Sequence, residues 1–94
     1  MSEKVIAIKL VSGEEIISRV KERNDTFLVL DRPNMIGLAP AQGGMGISIQ
    51  LMPWMASNQD GDITVFVEHI VAETTPDAEL EKGYLTRTSG IALV

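Results

Sequence analysis

Residues Ile6–Leu30, IAIKLVSGEEIISRVKERNDTFLVL, decide the fold. Ile6, Ile8 and Leu10 alternate with Ala7 and Lys9, so one face of this run is apolar and the other at least partly wet. Ser12-Gly13 interrupts the pattern and a second strand begins with Ile16. Asn24-Asp25 interrupts it again before Phe27-Leu28-Val29-Leu30. Three strands joined this closely pair antiparallel, because a parallel crossover needs a dozen or more residues. A small, strongly bent meander of that kind is the core of a small barrel, and barrels of this size are predominantly binding modules.

Working outward, 94 residues make a single domain. About two-thirds of the extended chain's surface can be buried at that size, which allows one modest core. Apolar residues make up 45% of the chain but aromatics only 4%, so Val, Ile, Leu and Met must fill that core. The chain has no cysteine, which excludes a disulfide framework and a thiolate metal site and permits a reducing compartment. Lys4 is followed only by a short apolar run with Lys9 inside it, so no signal peptide is expected. No stretch approaches the ~18 apolar residues of a membrane span. The expected location is the cytoplasm, with no membrane partner. The net charge of −5 is opposite in sign to what a generic phosphate-binding surface wants.

Along the chain, strands come first and a helix last. The first two strands are predicted over about Lys4–Val11 and Glu14–Arg23. The third starts near Thr26 and is predicted to resume after Asp31-Arg32-Pro33-Asn34 as Met35–Leu38, with Pro33 marking an edge or a bulge. Residues 39–46, APAQGGMG, read as a loop. Ile47-Ser48-Ile49-Gln50-Leu51 alternates as another strand, closed by Pro53, and residues 58–62, NQDGD, form a polar turn. Ile63–Val67 and Ile70–Ala72 read as a last strand pair or one long bent strand. Thr75-Pro76-Asp77 then starts a helix, with a hydroxyl cap, a proline in the first turn and acids where the dipole favours them. Ala78, Leu80, Tyr84 and Leu85 form its weak apolar stripe, and Gly90 is the expected stop. The apolar tail Ile91-Ala92-Leu93-Val94 is expected to dock on the barrel or on a neighbour.

Leu10-Val11-Ser12-Gly13, the Asn24-Asp25 turn and Phe27-Leu28-Val29-Leu30 together resemble the first signature of the Sm and Sm-like family, small bent five-stranded barrels that assemble into rings and bind RNA. Residues 66–76, FVEHIVAETTP, are similar to the second signature, and most to its form in the bacterial RNA chaperone Hfq. Both fit without gaps. The stretch from Asp31 to Asp62 between them is longer than in Hfq, and the helix follows the barrel instead of preceding it. This layout is similar to the short Sm-like proteins carried by tailed phages of marine bacteria, in which a Pro-Trp-Met segment stands in the same place.

The resemblance implies RNA-binding candidates, each with a plainer reading beside it. Asn24 stands where the family has an aspartate, with Asp25 next; either they contact a base or they simply make a tight turn. His69 falls on the family's pore histidine, which contacts ribose; a lone histidine is also a common turn or core residue. Glu68 replaces the family's lysine and, repeated around a ring, would repel a polyanion. Trp54, the only tryptophan, can stack a base, anchor an interface or cap the barrel under the insertion. One histidine, no cysteine and scattered carboxylates supply neither a nucleophile–base pair nor a metal-ligand set, so no enzyme, metal or cofactor is expected.

The expected molecule is thus a mainly β, five-stranded antiparallel Sm-like (SH3-type) barrel in one domain. Its first signature spans 1–38, insertion and loops 39–62, the second signature 63–73, and a C-terminal helix 75–89. The resemblance implies a homo-oligomeric ring of roughly five to seven subunits. Its partners would be single-stranded RNA, or, if the ring is a protein-interaction module, a host or phage protein.

Overall fold

The computed structural model describes residues 4–41, 43, 44 and 46–89. Gly90 and the tail Ile91–Val94, with the stop and the docking expected of them, lie outside the described residues. β1 is Val5–Leu10 and β2 is Glu15–Arg23, paired antiparallel with Ala7 opposite Ile17. Their turn needs Gly13, whose φ of 102° is a left-handed conformation that side chains resist. Its N–H bonds the Leu10 carbonyl at 2.8 Å. The next turn is held by Asn24, whose Oδ1 accepts from the N–H groups of Thr26 and Phe27 at 2.8 and 2.9 Å.

The third strand corrects the sequence reading. β3 runs unbroken over Phe27–Pro40, through Asp31-Arg32-Pro33-Asn34. What changes there is its outer neighbour. Phe27–Asp31 pairs with β5, Asp62–Phe66, whereas Asn34–Pro40 pairs with β4, Ile47–Pro53. Pro33, which has no N–H to give a ladder, sits at the seam between these two partners. Arg32 takes a φ of 51°, bending the strand at the seam, and its N–H goes to the Gly61 carbonyl at 3.0 Å. A Cβ at Gly61 would lie 2.5 Å from the exposed Asn58 carboxamide, which would have to turn aside to admit it.

Of the two readings of the last strand segments, a pair or one long bent strand, the pair fails, since they do not bond each other and only a short turn bends the chain between them. β5 is followed by a single 3-10 turn, Val67–His69, and then by β6, Ile70–Thr74, which pairs with β1 at the far end of the sheet. The sheet is therefore six-stranded and antiparallel, in the order β4-β3-β2-β1-β6 with β5 also on β3. Five strands were expected for the barrel; the insertion contributes the sixth. No hydrogen-bonded ladder joins β5 to β6 among the described residues, so the sheet is not closed.

Each face of the sheet carries a buried cluster. Ile6, Ile8, Leu10, Ile16, Leu28, Leu30 and Val65 form one cluster inside its curve, with Trp54 and Ile70 packed against it. Val5, Ile17 and Tyr84 form a second cluster on the other face, under α1, Ala78–Thr88. Adjacent strand residues point to opposite faces, so Ile16 and Ile17, both fully buried, serve one cluster each. The cap of α1 is Asp77, not the expected Thr75 hydroxyl: its carboxylate accepts from Leu80 N–H at 2.9 Å.

Tyr84 explains why the helix lies where it does. The β2–β3 register shifts between Ile17 and Arg19, leaving the Arg19 N–H and the Asp31 carbonyl outside the regular ladder. The Tyr84 hydroxyl takes both, accepting from Arg19 N–H at 3.0 Å and donating to Asp31 O at 2.6 Å. Arg19 also stacks over the ring, 5.3 Å from its centroid, and donates to Thr88 Oγ1 at 2.8 Å. A helical side chain thus completes the bulge in the sheet. Among the described residues no helix is long and apolar enough to cross a membrane.

Candidate nucleic-acid and partner interface

The 3-10 turn Val67–His69 brings the two signature segments together. The Val67 N–H donates to the Thr26 carbonyl at 2.9 Å, and the Val11 N–H donates to the His69 carbonyl at 2.8 Å. One end of the turn is therefore fixed to the Asn24–Thr26 turn and the other to the Val11–Gly13 turn. Two shallow depressions of about 390 Å³ each flank it. Asp25, Thr26, Phe66, Val67 and Glu68 line the first. Val11, Glu14, Trp54, Phe66 and His69 are among the residues lining the second. The four candidates thus do not meet at one point: Asp25 shares the first depression with Glu68, Trp54 shares the second with His69, and Asn24 lines neither.

Each candidate's chemistry is set by its neighbours. Asn24 uses its carbonyl to build the turn, which is the plainer of its two readings; its amide nitrogen has no partner among the described residues. Trp54 is half-buried against the inner cluster, so it does cap the core. It also lines the second depression, where Phe66 stands half-exposed. The His69 side chain is 55% exposed, with Nε2 3.7 Å from Glu68 Oε2. It is not buried core, and no group of three or more His, Asp or Glu side chains that could hold a metal ion is present among the described residues.

The electrostatics of this region are acidic. Asp25 and Glu68 line one depression and Glu14 the other. The nearby cations are engaged elsewhere. Arg23, at the end of β2, makes two bonds to the Glu73 carboxylate at 2.8 and 3.1 Å. That pair holds the Glu73 carboxyl below its ordinary range, through hydrogen bonding to Arg23. Lys21 reaches Asp62 at 3.1 Å. The surface therefore offers aromatic faces and polar edges, not a track of phosphate-binding cations.

Sequence reasoning missed the second polar cluster, around Asp31, Arg32, Asn34 and Arg87. Arg87 Nε donates to Asn34 Oδ1 at 2.8 Å, and Arg32 bonds Asp31 through Nε and Nη2. Its one sequence signal was Tyr84, on the stripe read as apolar, followed at helical spacing by the hydroxyl of Thr88. The chain matches no protein-family model and no curated protein.

Proposed function

We propose that the chain is a non-catalytic Sm-like subunit that closes into a homo-oligomeric ring through β5 and β6. The observation that carries this reading is that each of these five-residue strands has a mate on one side only, β3 for β5 and β1 for β6. In the family that the signatures resemble, the corresponding strands of neighbouring subunits pair with each other. Such a contact is heterologous, and a suitable rotation closes it into a ring of roughly five to seven copies. Pairing also removes two open edges per subunit, which would otherwise invite aggregation. The bend at Arg32, the register shifts in β2–β3 and the 3-10 turn before β6 all favour a strongly curved barrel-like sheet.

On the ring, the signature region contacts single-stranded RNA through bases. Trp54 and Phe66 supply stacking surface, and His69 and the Asn24 amide supply polar edges. The pairing of Asp25 with Glu68 opposes phosphate contact and favours a second reading, a ring-shaped module that binds another protein, of phage or host origin.

Light scattering at micromolar concentration tests the ring: the expected mass is several chains, and a folded single chain would overturn it. Fluorescence anisotropy with short U-rich and A-rich RNA then separates the two ligand readings. Binding that weakens with salt and with His69→Ala supports RNA. Intact rings that retain no RNA at low salt leave the protein-binding reading.

A further inference from the structure

Where α1 ends, the molecule carries another depression, of about 310 Å³, that shares no residue with the two depressions flanking the Val67–His69 turn. Arg32, Asn34, Gln59, Asp60 and Arg87 line it. Asn34 is only 2% exposed, and its carboxamide serves both arginines. Oδ1 accepts from Arg87 Nε, and Nδ2 donates to the Arg32 carbonyl at 3.2 Å. A buried side chain therefore fixes the positions of two cationic residues beside one opening.

The remaining donors are unspent. Arg32 uses Nε and Nη2 on Asp31, and Arg87 uses Nε on Asn34. Arg32 Nη1 and both terminal nitrogens of Arg87 have no partner among the described residues. Arg19, bonded to Thr88 on the same rim, adds a third guanidinium. These three face two carboxylates, Asp31 and Asp60, so positive charge is locally in excess on a chain of net charge −5.

Arg32 is also the only non-glycine residue with a left-handed φ among the described residues. Unfavoured backbone of this kind collects at binding sites, where it aims a side chain.

We propose that this depression binds a phosphate group, free or esterified, between the guanidiniums of Arg32 and Arg87. Planar guanidinium forks match phosphate oxygens in pairs, which ammonium groups do not. Gln59, on the rim, can add an amide donor. Asp60 opposes further negative charge, which favours a single phosphate group, free or in a monoester, over a di- or triphosphate. The site lies within one subunit and requires neither the ring nor the base contacts.

The test is a nuclear magnetic resonance titration of the full chain with inorganic phosphate, uridine 5′-monophosphate, uridine and acetate. Saturable shifts of the Arg87 and Arg32 Nε–H signals and the Gln59 amide are expected with the two phosphates and not with uridine. Tighter binding of the monophosphate assigns the site to a nucleotide, and equal binding assigns it to free phosphate. Arg87→Gln and Arg32→Gly should each weaken binding by roughly tenfold or more, as loss of a charge-assisted bond does. Glycine accepts the φ of 51° without strain, so Arg32→Gly keeps the backbone. Shifts that do not saturate, that persist in Arg87→Gln, or that acetate reproduces would overturn the proposal.

Discussion

The two halves of β3 belong to one strand, yet they meet opposite fates, and the alternation shifts at the seam, where Met35 follows Leu28 and Leu30 to the inner cluster while Ile36 turns to the face under α1. In Phe27–Asp31, Leu28 and Leu30 are 1% and 0% exposed, enclosed by β2, β5 and the inner cluster. In Asn34–Pro40, Leu38 is 70% exposed, and Ile49 opposite it 53%. The difference lies in what stands over each half. β2 begins at Glu15, opposite Ile36, so β3 beyond that point has only β4 beside it. Ile36 and Leu51 still pack under α1, Ile49 only borders a depression beside it, and Leu38 and Ile47 are each 70% exposed. Alternation announces which residues share a face, but coverage depends on where neighbouring elements stop.

The widest test of that contrast is Leu30→Ala, which should cost ~2–5 kcal/mol in denaturant unfolding, as large-to-small core substitutions do. A loss below 1 kcal/mol would mean that the enclosed half is not packed as described. At the seam between the halves, Tyr84→Phe removes the hydroxyl that serves Arg19 N–H and Asp31 O. Leaving the Arg19 N–H unpaired, with Asp31 O keeping only its 3.2 Å bond from Ser18 Oγ, should cost ~1–3 kcal/mol, without the cavity a deletion to alanine would create. Beside the start of the packed half, Arg23 opposes Leu28 in the ladder and holds Glu73. Glu73 titrates below its unfolded value, so its contribution is present above about pH 4.3 and fades as pH falls through the folded value. The pair is half-exposed, so Glu73→Gln should cost less than ~1 kcal/mol and should flatten the acid limb of the stability profile. Leu38→Ser, on the uncovered half, should change stability by no more than ~0.5 kcal/mol. A larger loss would show that the exposed residues are covered in solution.

Much of the packed half was legible. The alternation of Ile6, Ile8 and Leu10 gives β1 and its inner face, and Asn24-Asp25 gives the turn before β3. The doublet Ile16-Ile17 carries a signal of two-sided burial, since a strand wet on one face has no use for it. The seam was not legible, because Pro33 reads locally as an end of pairing, and only the arrival of two separate partners lets the strand pass through it. For β5 and β6 the sequence left a strand pair or one bent strand open, because nothing local to Val67–His69 says which neighbour each segment will meet. Of the candidate site, the convergence of the two signature segments was foreseeable, while the commitment of Asn24 to its own turn and the matching of Asp25 with Glu68 depend on three-dimensional placement. The Tyr84 network left only a pair of hydroxyls in the sequence.

The β3–β4 arm hangs from the body by its ladder beyond Gly37, with strictly opposed pairs from Asn34–Pro53 to Pro40–Ile47. Its length is therefore adjustable. Deleting or adding matched pairs near the tip, two residues per strand, keeps every remaining side chain on its own face. The arm is a natural place to graft a foreign hairpin, because nothing in the enclosed half depends on how far it reaches.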